Sequence, residues 1–83
     1  MKAYVVVGTS YYFEDGTSDY FDREYYLKYE DAKQAFERMI SDFKSSERYN
    51  SSFEEYRSRD EDYCSLSDYI EYEFYINEIE IKE

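Results

Sequence analysis

The sequence predicts an α+β fold: a small antiparallel sheet with one helix packed on one face, in the order β-β-α-(short α)-β, with the last strand long and bulged. Three observations carry that expectation. The C-terminal stretch DYIEYEFYINEIEIKE alternates apolar and charged residues, an Asp-Gly pair separates two strand-like segments, and residues 32–43 carry one apolar stripe at helical spacing. At 83 residues the chain is expected to form one domain, 1–83, with a small core.

The first strand is predicted from about Lys2 to Phe13. Its consecutive Val5, Val6 and Val7 suggest burial on both faces or a central position in the sheet. Glu14-Asp15-Gly16-Thr17-Ser18 is a turn cluster whose Asp-Gly pair favours positive φ, so the chain reverses into a hairpin. The second strand, about Tyr20 to Lys28, divides into Phe21, Arg23, Tyr25 and Leu27 on one phase and Asp22, Glu24 and Tyr26 on the other; the first set is expected inside. Ala32, Ala35, Phe36, Met39, Ile40 and Phe43 then follow the i, i+3, i+4, i+7 pattern. With Glu30 and Asp31 in its first turn and Lys44 in its last, this helix is expected from about Tyr29 to Ser46. Ser52 and Glu55 have the spacing of a capping box, so residues 52–57 read as a short helix or equally as a loop.

In the last strand Ile70, Tyr72, Phe74 and Ile76 share one phase, and after Asn77 the apolar phase shifts to Ile79 and Ile81. A β-bulge near Asn77-Glu78 would keep every isoleucine on the core side. The solvent face would then carry Glu71, Glu73, Tyr75, Glu78 and Glu80. This strand is expected to pair beside the first or the second, leaving the sheet face opposite the helix open.

Composition alone points towards disorder. Valine, isoleucine, leucine and phenylalanine number 16 of 83 and the net charge is −11. Thirteen tyrosines reverse that conclusion, because they bring large apolar bodies and strong β propensity. Charge is also uneven: residues 60–83 hold nine acids and one base, against twelve acids and nine bases in residues 1–59. A negative field of this kind repels nucleic acid and anionic membranes and attracts basic protein surfaces.

Several function classes are disfavoured. The chain has no histidine, so the most common general base is missing, and Gly8 and Gly16 are too few for a phosphate-cradling loop. The single cysteine, Cys64, excludes an internal disulfide and a thiolate metal cluster and is expected to be a buried or half-buried residue. Asp15–Asp19 and Asp60–Asp62 could hold calcium weakly, but neither has the spacing of an EF-hand loop. The expectation is a non-enzyme without metal or cofactor. The N-terminal apolar run is too short for a signal peptide and no segment is long enough to span a membrane, so a cytoplasmic location is expected.

The candidate binding residues are therefore Glu71, Glu73, Glu78 and Glu80 with Tyr69 and Tyr75, joined by Asp60, Glu61, Asp62 and Asp68. Tyr11, Tyr12, Tyr20, Tyr26, Tyr49 and Tyr56 are also expected outside or in loops. Tyrosine interleaved with carboxylate suits an arginine- and lysine-rich partner, because arginine pairs with carboxylates and stacks on rings.

Through Asp68-Tyr69-Ile70-Glu71-Tyr72-Glu73 and its size and composition, the chain resembles the small acidic phage-encoded inhibitors of bacterial defence, the anti-CRISPR and anti-restriction proteins, several of which act as nucleic-acid mimics. The resemblance implies a target that is a nuclease or its guide complex, met in the host bacterial cytoplasm. On this reading the glutamates stand in for phosphates and the protein binds no nucleic acid itself. The competing expectation is a structural or assembly module that self-associates through its sheet as a homodimer, with Arg57, Arg59 and Lys82 offsetting the facing glutamates.

Overall fold

The computed structural model describes residues 1–82. Five strands and one helix follow in the order β1 (Lys2–Tyr12), β2 (Thr17–Tyr26), α1 (Tyr29–Lys44), β3 (Glu54–Arg57), β4 (Tyr63–Ser67) and β5 (Ile70–Glu80). The strands form one antiparallel sheet in the order β2-β1-β5-β4-β3, so the fold is α+β with α1 on one face, as the sequence predicts.

Central placement explains the valine run. β1 lies between β2 and β5, and Val5, Val6 and Val7 are all buried. Val6 faces the helix among Phe36, Met39, Ile40, Leu66 and Phe74. Val5 and Val7 face the other way, where the long side chains of Tyr25, Arg23 and Tyr75 on the flanking strands screen them from water. The helix buries the six residues of its predicted stripe. Phe43, at its C-terminal end, packs its ring 4.4 Å from that of Tyr72 and 5.7 Å from that of Phe74.

The bulge lies elsewhere than expected. β5 pairs with β1 without interruption from Ile70 to Glu80, and the register shift falls instead in the β1–β2 pair, beside Gly8 and Thr9. Gly8 pairs with Asp22 and Thr9 with Tyr20, so Phe21 is the extra residue. Its ring turns to the helix side, 5.7 Å from Phe74 and 6.1 Å from Tyr72. A Cβ on Gly8 would lie 2.8 Å from Phe21 Cζ, so the missing side chain of Gly8 makes room for the ring.

This bulge corrects the expected inner face of β2. Arg23, Tyr25 and Leu27 lie on the face away from the helix, and Tyr25 and Leu27 are exposed. Tyr26 and Glu24 lie on the helix side, where the Tyr26 hydroxyl donates a 2.6 Å hydrogen bond to Glu24 Oε1.

Residues 52–57 form no helix: Ser52 lies in a turn, Phe53 follows it, and a strand begins at Glu54. Glu54–Arg57 is an edge strand on β4, and Ser52 hydrogen-bonds to the Asn50 side chain rather than capping a helix. Phe53 stacks on Tyr72 with an interplanar angle of 16°, which draws the segment onto the core before β3 begins. β4 supplies the fully buried Cys64 and Leu66 and passes to β5 through a tight turn at Asp68 and Tyr69.

Candidate protein-binding surface

Among the described residues no helix or second sheet covers the sheet face opposite α1, and the strand register defines its rows. Ser18, Tyr11, Glu71, Ser67 and Glu54 lie side by side across the five strands. The next row is Tyr20, Thr9, Glu73, Ser65 and Tyr56, followed by Arg23, Val7, Tyr75 and Tyr63. Beyond them Tyr25, Val5 and Asn77 lead to an apolar end formed by Ala3, Leu27, Ile79 and Ile81. The face thus grades from tyrosine and carboxylate at one end to aliphatic side chains at the other.

Unbroken pairing in β5 divides the predicted row of acids. Glu71, Glu73 and Tyr75 share the open face, whereas Glu78 and Glu80 point to the helix side. The phase shift after Asn77 is a change of residue type and not of backbone: in the unbroken pleat Ile79, paired with Ala3, shares the open face with Glu71, Glu73 and Tyr75. Glu78 lies 3.5 Å from Lys2 Nζ, and Glu80 lies 3.8 Å from the amino terminus. Asp68 and Tyr69 form the β4–β5 turn, with Asp68 Oδ1 accepting a 3.0 Å hydrogen bond from the Ile70 amide and Tyr69 89 % exposed at the apex. Asp60, Glu61 and Asp62 occupy the β3–β4 turn, where the Glu61 carbonyl accepts from Lys33 of α1. The ten candidate residues therefore fall in four places, and the open face unites three of them.

Ion pairing is one-sided. Among the described residues, the salt bridges Lys2–Glu78, Arg38–Glu24, Lys33–Glu37, Lys44–Glu55 and those of Arg57 with Glu37 and Glu55 all belong to the helix side. Arg57 lies on the helix side and pairs within the molecule with Glu37 and Glu55. On the open face Glu54, Glu71 and Glu73 have no basic side chain within 4.0 Å among the described residues. Arg23, the base that the strands place on this face, has its guanidinium carbon 4.5 Å from the Tyr20 ring centroid.

Local electrostatics follow from that arrangement. Partial burial and the neighbouring Glu73 charge push the Glu71 carboxyl above its ordinary value. Glu73 accepts a 2.7 Å hydrogen bond from the Tyr63 hydroxyl, and burial together with that bond holds the Tyr63 phenol well above the usual tyrosine range. On the helix side, the Arg57 hydrogen bond lowers Glu37, and the Tyr26 and Arg38 hydrogen bonds lower Glu24.

Sequence reasoning missed β4, and with it Tyr63 and its hydrogen bond to Glu73; it also missed that Glu54 belongs to this face. The signal was present in Tyr63-Cys64-Ser65-Leu66-Ser67, a five-residue alternation with Cys64 and Leu66 on the inner phase. Tyr26 and Tyr49, expected outside, pack against the core instead. Among the described residues no group of three or more acidic, histidine or cysteine side chains is placed to hold a metal ion, and no helix is long and apolar enough to cross a membrane. Comparison with protein-family models, with curated proteins and with solved structures found no match for this chain.

Proposed function

We propose that the protein is a non-enzymatic binding module whose open sheet face occupies a basic nucleic-acid-binding site on a partner and excludes the nucleic acid by competition. One observation carries the reading: among the described residues Glu54, Glu71 and Glu73 of this face have no ion-pair partner, while Glu24, Glu37, Glu55 and Glu78 of the helix side do. An unpaired carboxylate beside tyrosine rings is available to arginine and lysine from outside. Glu71 and Glu73, about 6.6–6.8 Å apart on alternate positions of the strand, present charge in a regular row. Glu54, two strands away, widens that row into a patch. The resemblance to phage-encoded defence inhibitors extends the reading to a bacterial nuclease or guide complex as the target.

The site is narrower than the sequence suggests, because Glu78 and Glu80 belong to the opposite side. The test is a pull-down from bacterial lysates at low and moderate salt with three forms of the protein. A nucleic-acid-binding protein retained by the wild type and by Glu78→Lys/Glu80→Lys, lost with Glu71→Lys/Glu73→Lys and displaced by added DNA or RNA, is the expected result. Equal retention by Glu71→Lys/Glu73→Lys would remove the sheet face from the proposal.

A second reading is favoured by the apolar end of the same face. Leu27 is 66 % exposed and adjoins Ala3, Tyr25, Ile79 and Ile81, a surface suited to self-association. Mass in solution separates the two, since an apolar homodimer survives high salt and electrostatic engagement of a basic partner does not.

A further inference from the structure

A second feature lies outside the sheet face, at the end of the molecule where the β1–β2 and β4–β5 turns meet. Between them is a hollow of about 570 Å³ lined by Tyr12, Phe13, Glu14, Asp15, Tyr69 and Ile70. Its volume falls within the range of sites that hold ligand-sized groups. Three of its walls are aromatic rings and two are carboxylates. None of the bases within the described residues reaches within 4.0 Å of Glu14, Asp15 or the adjacent Asp68.

We propose that this hollow receives an arginine side chain presented by a basic segment of a partner protein. Charge complementarity identifies the occupant: anionic rims repel phosphate and carboxylate ligands, and the aromatic walls favour a flat, weakly hydrated cation over a compact ammonium. The guanidinium plane lies against Tyr69 and Phe13, and its N–H groups donate to Glu14 and Asp15. The same chemistry already operates once in this molecule, where Arg23 sits over Tyr20.

The turns that carry the hollow are fixed by their own hydrogen bonds and strand pairing before any ligand arrives. Gly16, at φ 72°, closes the β1–β2 turn with a 2.8 Å hydrogen bond from its amide to the Tyr12 carbonyl. Asp15 Oδ1 accepts hydrogen bonds of 3.1 Å and 2.7 Å from the Thr17 amide and hydroxyl. These bonds hold its carboxyl below the ordinary aspartate value, so it stays ionised. Across the hollow, Tyr12 and Ile70 are paired neighbours on β1 and β5, which fixes the spacing between the two turns. Tyrosine at such a position contributes a rigid contact at low entropic cost.

The test uses the peptide acetyl-Gly-Gly-Arg-Gly-Gly-amide titrated into the full chain, followed by amide NMR shifts, beside otherwise identical lysine and citrulline peptides. Shifts centred on residues 12–16 and 68–70 are expected, with the arginine peptide at least about three-fold tighter than the lysine peptide and no binding by citrulline. Tyr69→Ala, at an exposed turn apex, should weaken arginine binding about three-fold or more with no change of charge, whereas Glu30→Gln on the helix surface, which removes a unit of negative charge away from the hollow, should have no effect. Equal affinity for arginine and lysine, shifts spread over the carboxylates of the whole molecule, or a Tyr69→Ala variant that binds as the wild type would each overturn the proposal. Glu71 and Glu73 do not line the hollow, so failure here leaves the sheet-face reading standing, and the reverse holds.

Discussion

The Tyr63 hydroxyl donates to Glu73 Oε2 at 2.7 Å, while Glu71, two residues earlier on the same face, has no side-chain hydrogen bond among the described residues. The two carboxylates are thus neighbours in one row with different partners. Glu73 is anchored, while Glu71 is raised first by its partial burial and then by the neighbouring Glu73 charge.

That difference sets the response to pH on the acid side. Glu71 has a folded-state value above its unfolded one, so its ionisation opposes folding at neutral pH, and the opposition disappears as pH falls through both values. Glu71→Gln is therefore expected to raise the melting temperature at pH 7 by a few degrees, with the gain gone at about pH 4. Thermal melts of the two proteins from pH 4 to 8 check this, and a constant difference across that range contradicts it.

On the alkaline side the tyrosines dominate. Tyr63, Tyr72 and Tyr75 all have values raised chiefly by burial, so the stability they contribute is complete below the ordinary phenol value of 10.0 and is lost as pH rises through their folded values. Unfolding above about pH 10 should release several phenols together. Phenolate absorbance and circular dichroism, followed on the same sample, are expected to change in one step.

Gly8 and Phe21 should behave as a coupled pair. Gly8→Ala places a methyl group against the Phe21 ring and is expected to cost about 1–2 kcal/mol. In a Phe21→Ala background the added methyl group meets no ring, so most of that penalty should vanish. Urea denaturation of the four proteins measures the coupling, and strict additivity would show that the ring does not depend on the missing Cβ.

Arg57 ties the edge strand to the helix through its 2.8 Å contact with Glu37, and its 3.3 Å contact with Glu55 lies within β3 itself. Its side chain is only 26 % exposed, so Arg57→Ala is expected to cost about 1 kcal/mol, more than an isolated surface pair. The loss should be local at first. Hydrogen exchange is expected to show faster opening of β3 with β1 and β5 little changed.

How much of this was legible depended on how far each element's pattern could be read from its own residues. The helical stripe from Ala32 to Phe43 needs only a buried face, and α1 buries all six of its residues. The valine run of β1 announced its central position for the same reason. Phe21, Arg23, Tyr25 and Leu27 share one phase in sequence, but the room that Gly8 leaves on the neighbouring strand draws Phe21 alone to the helix side. At Asn77 the alternation does shift, yet the strand stays regular because β1 supplies partners to Glu80. β3 and β4 were hidden by brevity, being only four and five residues long. The candidate residues were legible as a chemical type, while their division between two faces required the register.

The pairing of β1 with β5 joins Lys2 to Glu80 and Tyr12 to Ile70, so the middle of the sheet is made of segments from opposite ends of the described chain. Local hairpins and α1 can form early, but the strands that bury Val6 against Phe74 meet only after a long loop has closed. Folding speed is then expected to be set by that closure rather than by helix formation, and to be slower than that of helical domains of this size. Until closure, β1 lacks a neighbour on one side, and the interval before the sheet is complete is when this tyrosine-rich chain is most open to pairing with the wrong strand.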